Sequence, residues 1–282
     1  MKFAGFADEV SLDLQRQIAA LQALDWRGLE IRLIGKGRHF DDVTESEFEK
    51  LSEQLQHAGI QIVAYGSQIA NWARKISGPF DLDLTELRRI IPRMRRTGTQ
   101  IVRIMSYPND GWTEADWRKE AIRRLRDLSR IAEANGVILG HENCDGWMGQ
   151  GAEATLETLA AVRSPALRLI FDTGNPVPQG QDPWTFYQAV REHIIHVHIK
   201  DYCADPSVPG GFRATFPGEG AARVREIVAD LKQQGYDGWF SIEPHIVSVV
   251  HEARDAEGQE EKAHEIFVEY GKRLEELYRL AG

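Results

Sequence analysis

The feature that most restricts how this chain can fold is an alternation. Eight short apolar, strand-like runs occur in order, each followed by a segment with helical periodicity. The strand-like runs cover residues 3–7, 28–34, 60–65, 100–105, 137–142, 167–172, 194–199 and 238–243. The helical segments cover 12–24, 45–57, 84–96, 113–136, 153–162, 184–191, 222–234 and 262–280, with Ser11 and Thr113 as candidate N-caps. Strict alternation implies parallel strands joined by helical crossovers. Eight such units can close into a (β/α)8 TIM barrel, which leaves no sheet edge open. An open doubly wound sheet is the alternative. The segment Gly5-Phe6-Ala7-Asp8-Glu9 after the first run lacks the glycine pattern of a dinucleotide loop. No Pro/Ser-rich linker or charge block divides the chain, so residues 1–282 are expected to form one α/β domain.

Composition narrows the partners. The net charge of −9 argues against a phosphate-binding surface for nucleic acid. The basic stretch Arg88-Arg89 and Arg93 to Arg96 has helical spacing and is expected to be a solvated helix face. No apolar run reaches the ~20 residues of a membrane span, and the first residues lack the apolar stretch of a signal peptide. Cys144 and Cys203 form no Cys-x-x-Cys pair, so a cytoplasmic protein without structural disulfides is expected.

In such barrels the chemistry sits at the C-terminal strand ends. Four consecutive strands end in Gly140-His141-Glu142-Asn143, Phe171-Asp172-Thr173-Gly174-Asn175, His196-Val197-His198-Ile199-Lys200-Asp201 and Ser241-Ile242-Glu243-Pro244-His245. Each motif alone is weak, because a strand-end carboxylate often caps the next helix. Together they bring Glu142, Asp172, His198 and Glu243 to one rim. Three carboxylates so placed repel one another unless protonated or bridged by a cation. Three oxygen donors and an imidazole suit one divalent ion, with Mn²⁺ the first choice and Mg²⁺, Co²⁺ or Zn²⁺ compatible. His196 should face the same way as His198, one layer deeper, and His141 should face away from Glu142.

The segments HENCDGW, FDTGNP, HVHIKD and SIEPH resemble the xylose-isomerase-like barrel superfamily, in particular its sugar phosphate isomerase/epimerase branch. The resemblance runs over essentially the whole chain. It implies that Glu142, Asp172, His198 and Glu243 hold the metal, and that Glu142 and Glu243 carry protons to and from the two faces of a substrate. The implied activity is isomerisation or epimerisation of a ketose or keto-sugar through a metal-stabilised enediolate. A lyase or dehydratase of a keto-sugar or keto-cyclitol uses the same proton abstraction and is the alternative. A non-catalytic sugar-binding barrel is more distant. The epimerases carry a His after the strand-six Asp, where this chain has Thr173-Gly174-Asn175, so the substrate or reaction differs from theirs. The superfamily's DNA-endonuclease branch needs further histidines that Tyr65-Gly66-Ser67 and Arg103, Met105 and Ser106 do not supply.

Further candidates for contact with a small carbohydrate are His141, Asn175, Lys200, Arg213, Trp112 and Trp147, with Trp72 as another aromatic residue on these loops. Glu30, Arg32 and Arg103 are expected to point inward and could pair with one another. Residues 209–220, rich in glycine, are expected to form a mobile lid. A homo-oligomer is compatible with the branch.

Overall fold

The computed structural model describes residues 1–247 and 259–281. Its eight barrel strands are β1 (Lys2–Gly5), β2 (Gly28–Ile31), β3 (Gln61–Gly66), β4 (Ile101–Ser106), β5 (Ile138–Gly146), β6 (Leu167–Asp172), β7 (Ile194–Ile199) and β8 (Trp239–Ile242). They pair in parallel in the order β1-β8-β7-β6-β5-β4-β3-β2 and close on themselves. Closure occurs at β1, which pairs with β8 through Lys2–Trp239 to Gly5–Ile242 and with β2 through Ala4–Gly28 and Gly5–Leu29. The chain is therefore a single α/β TIM barrel.

The outer ring consists of α1 (Leu14–Gln22), α2 (Glu45–His57), α3 (Asp81–Thr97), α4 (Glu114–Asn135), α5 (Ala152–Val162), α6 (Pro183–Val190), α7 (Val224–Gln233) and α8 (Glu260–Leu280). Local chemistry sets their limits. Thr44 and Glu47 form a capping box at the start of α2, and Thr113 accepts from the Asp116 N–H at the start of α4. Gly136 ends α4 at φ 67°, a left-handed cap that only glycine adopts without cost. Buried apolar residues of strands and helices form one continuous core. Among the described residues no helix is long and apolar enough to cross a membrane.

Four local expectations change. Asp13 caps α1, accepting from the Arg16 N–H, while Ser11 accepts from the N–H of Asp13. Strand β2 stops at Ile31, and Leu33–Ile34 pair instead with Arg38–His39 in a short antiparallel ribbon. The cause is Asp8, which draws in both the Arg32 guanidinium and the Leu33 N–H. The basic stretch is not wholly solvated. Arg93 is buried and donates to the carbonyls of Phe40, Asp41 and Val43, clamping the loop before α2.

The expected lid is the fourth. Phe212–Thr215 pair antiparallel with Asp201–Ala204, and Asp201 gathers the rest of the loop. Its carboxylate accepts from the N–H groups of Gly218, Gly220 and Ala222 at 2.9–3.0 Å. Three charge-assisted bonds to one buried carboxylate hold this loop in place. Replacing Asp201 by Ala should lower stability by roughly 1–3 kcal/mol and speed proteolytic cleavage between residues 205 and 222. Unchanged melting and cleavage would show that the loop is held elsewhere.

Candidate metal centre and active site

Register across the barrel decides which side chains share a layer. Asp172 on β6 lies opposite His198 on β7, which lies opposite Ser241 on β8. Laterally paired residues point the same way, so these three face the interior together. Glu142 comes in from β5, and Glu243 follows the last residue of β8. One donor atom from each of Glu142, Asp172, His198 and Glu243 lies within 4.8 Å of all the others, and all four residues are buried.

The fit to a cation shows in the atoms without hydrogen-bond partners. His198 Nδ1 is buried and makes no hydrogen bond, and Asp172 Oδ2, equally buried, has only the Lys200 ammonium 3.1 Å away. The Nδ1 atom lies 3.5 Å from Glu142 and 4.0 Å from Asp172. On its other side His198 Nε2 lies 3.0 Å from Glu30, which also receives His196 Nε2 at 2.7 Å. Burial penalises the Glu30 carboxylate, yet His198 and His196 hold it well below the usual carboxylate range. An ionised Glu30 accepts a hydrogen bond from Nε2–H, so that once His198 is neutral its lone pair is on Nδ1, facing the carboxylates. Metal sites use this device to set the tautomer of a ligating histidine. Asp172 Oδ1 is fixed separately by the N–H groups of Gly174 and Asn175, both at 2.8 Å.

The two glutamates are held differently. Arg103 and Asn175 donate to Glu142 at 2.8 and 3.0 Å. Glu243 receives Arg32 at 2.7 Å and Lys200 at 2.6 Å, with His245 Nε2 at 3.3 Å. Burial alone would favour the neutral acids. Against it, Arg103 and His198 keep Glu142 low, and Lys200, His245 and Arg32 keep Glu243 low. Asp172 moves the other way: burial, Glu142 and Glu243 raise it despite Lys200 at 3.1 Å. His198 is raised to about 10, because Glu30 and Glu142 outweigh its burial. The protein's own relief of the carboxylate crowding is thus a protonated imidazole, and a divalent ion would take over that task.

A cavity of about 420 Å³ opens above these residues, and Arg32, Arg103, Glu142, Asn175, Lys200 and Glu243 line it. Asn175 and Lys200 therefore meet the tetrad. Four other candidates do not line this cavity. His141 faces away, as strand alternation requires, and pairs with Ser106 at 3.0 Å. Trp147 is only 6% exposed and packs edge-on against Trp117. Trp112 belongs to a separate surface groove beside Asp116 and Arg123. Arg213 is exposed on its ribbon and pairs with Asp205 at 3.1 Å. Trp72 does line the cavity. Glu30, Arg32 and Arg103 point inward as expected but pair with the site instead of one another.

Sequence reading passed over Asp8 and Glu9. Asp8 holds Arg32 at 2.8 Å, and Glu9 accepts the His245 N–H at 2.8 Å. Their signal was the acidic pair just beyond β1, a strand end that was read only for a dinucleotide loop.

Fold and site together define a barrel of the kind that carries a divalent-metal-competent carboxylate and histidine cluster at its mouth. The chain belongs to the xylose isomerase-like TIM barrel family, whose model matches residues 18–268. It is similar to an inosose dehydratase of Lacticaseibacillus casei, 30% identical over 150 residues, 47% of this chain and 48% of that one. The match thus spans about half the length of that relative. An inosose dehydratase of Bacillus anthracis is 27% identical over 266 residues, 86% of this chain and 79% of that one. Among solved structures, the probable 3-DHS dehydratase AsbF of Bacillus anthracis superposes with a TM-score of 0.74 at 17% identity, covering 98% and 99% of the two chains. The IOLI protein with a bound zinc atom gives 0.74 at 19% identity, covering 100% and 99%. At these identities the two structures speak to the fold alone.

Replacing Glu30 by Leu should weaken Mn²⁺ binding about 10–100-fold, measured by isothermal titration, because His198 loses the acceptor that orients it. An unchanged affinity would remove Glu30 from the site.

Proposed function

We propose that this chain is a divalent-metal-dependent lyase that removes water from a keto-sugar or keto-cyclitol, ahead of the isomerase or epimerase that motif resemblance puts first. The observation that carries it is the pair of buried glutamates, Glu142 and Glu243, beside Asp172 and His198 at one cavity. Two points favour dehydration. The relatives reported above are named inosose dehydratases. The second point is the end of β6, where Thr173-Gly174-Asn175 offers no imidazole. A side chain at Gly174 would meet Lys200 Cβ and Cγ at 2.9 Å, so Lys200 fills that space. It places an ammonium between Asp172 and Glu243.

A divalent ion bound by the four donors would polarise the substrate carbonyl and acidify the neighbouring C–H. Elimination then needs a base for that proton and an acid for the hydroxyl on the next carbon. Glu243 and Lys200, 2.6 Å apart, are such a pair. The carboxylate takes the C–H proton, and the C–H electrons form the new C=C bond as the C–O bond breaks. Lys200 gives the proton with which hydroxide departs as water. The proton on Glu243 returns to Lys200 across their contact, restoring both groups. In an isomerase or epimerase Glu142 would instead return a proton to carbon.

Incubating metal-loaded protein with an inosose should yield a product lighter by one water. Glu243→Gln should lower kcat by about 10²–10⁴ with melting preserved. A mass-conserved epimer in place of the dehydrated product would favour the isomerase reading, and full activity of the variant would remove Glu243 as the base.

A further inference from the structure

Gln68, Asn71 and Trp72, which line the cavity, come from one stretch of the loop that follows β3. The stretch turns back on itself. The Asn71 N–H donates to the Gln68 carbonyl at 3.2 Å, and the Arg74 N–H donates to the Asn71 carbonyl at 2.9 Å. Ala70 at its centre has φ 57°, in the left-handed region that a residue with a Cβ adopts only at a cost. Such a backbone persists only where its surroundings hold it.

Two acids of α3 do the holding. Asp83 and Glu86 lie three residues apart, on one face of the helix, and are 1% and 2% exposed. Asp83 accepts the N–H of Ala70, the strained residue itself, at 3.1 Å, and Glu86 accepts the Gln68 N–H at 2.8 Å. Arg74, at the far end of the stretch, bridges the two carboxylates, meeting Asp83 at 2.5 Å and Glu86 on its other nitrogen. Neither acid is spent on capping α3, whose N-cap Phe80 makes no side-chain cap bond. Arg74, Asp83 and Glu86 do not themselves line the cavity, so their effect on anything bound there passes through the loop. The root of the loop is tied separately, the Ser67 hydroxyl donating to the Arg103 carbonyl at 2.6 Å.

We propose that Arg74, Asp83 and Glu86 are positioning residues for the barrel-mouth cavity, holding the loop after β3 so that Trp72 and Asn71 stand against a bound substrate. They govern affinity and not proton transfer, because Glu142 and Glu243 are held by other groups, Arg103, Asn175, Arg32 and Lys200. This deepens the lyase reading and rests on it for the substrate of the test.

The test follows KM and kcat of Mn²⁺-loaded protein with an inosose, beside acrylamide quenching of Trp72 read as the difference from Trp72→Phe. Asp83→Ala should raise KM at least about tenfold with kcat within about threefold. Its effect should be non-additive with that of Trp72→Ala, the double variant exceeding Trp72→Ala by no more than about threefold in KM. Asp83→Asn keeps an acceptor for the Ala70 N–H and should recover most of the loss. Arg89→Ala is the control. It breaks another ion pair of α3, with Asp41 at 2.6 Å, and should lower the melting temperature without changing KM or Trp72 quenching. Glu86→Ala takes the place of Asp83→Ala in the cycle if the latter does not fold. Additive effects of Asp83→Ala and Trp72→Ala overturn the proposal, as does a fall in kcat alone or an equal rise of KM in Arg89→Ala. If the unaltered protein leaves inosose intact, the lyase reading fails and Trp72 quenching decides. Quenching raised by Asp83→Ala and not by Arg89→Ala sustains the positioning role, and quenching unchanged by Asp83→Ala overturns it.

Discussion

Repulsion among buried carboxylates at the barrel mouth is the constraint around which this structure is arranged. Glu142, Asp172 and Glu243 bring like charges within a few ångströms of one another in a site shielded from water. Such a cluster is tolerated only if protons or cations compensate it. The surrounding network supplies part of that compensation. Arg103 serves Glu142, while Arg32 and Lys200 serve Glu243. The remainder falls on His198, whose imidazole is pushed toward its charged form by Glu30 and Glu142. A divalent ion among the four donors would relieve the same repulsion more completely and would free that imidazole to ligate.

The barrel makes this arrangement affordable. Closure removes both sheet edges, so each strand has its backbone paired on both sides and its end fixed relative to its neighbours. Register then places Asp172 and His198 in one layer. The layer beneath holds His196, and Glu30 reaches both histidines from across the barrel. A rigid scaffold matters here because donor groups that drifted apart would lose the geometry that the proposed metal binding and proton transfer would require.

Much of this was legible in the sequence, for identifiable reasons. Eight strands and eight helices followed from periodicity, and the element limits at Glu45–His57, Leu167–Asp172 and Ile194–Ile199 coincide with expectation. The tetrad was legible because barrel topology turns sequence-distant strand ends into neighbours. Side-chain alternation also foretold that His196 would share the face of His198 and that His141 would turn away. What escaped lies where no period operates. Trp112 and Trp147 sit on loops and Arg213 on the ribbon that follows β7, and composition says nothing of the course such a connection takes. Glu30 and Arg32 were placed inward correctly, but alternation gives a face and not a partner across the barrel interior. The partners were set by Asp8 and by the two histidines.

The most direct test of the account is the melting temperature of the protein stripped by chelator and then titrated with Mn²⁺, beside His198→Ala treated alike. If a cation resolves the carboxylate repulsion, the stripped protein should gain stability in a saturable way at about one ion per chain, and the variant should gain little. A melting temperature unaffected by Mn²⁺, Mg²⁺, Co²⁺ or Zn²⁺ would contradict the account, because the carboxylates would then be neutralised by the protein alone.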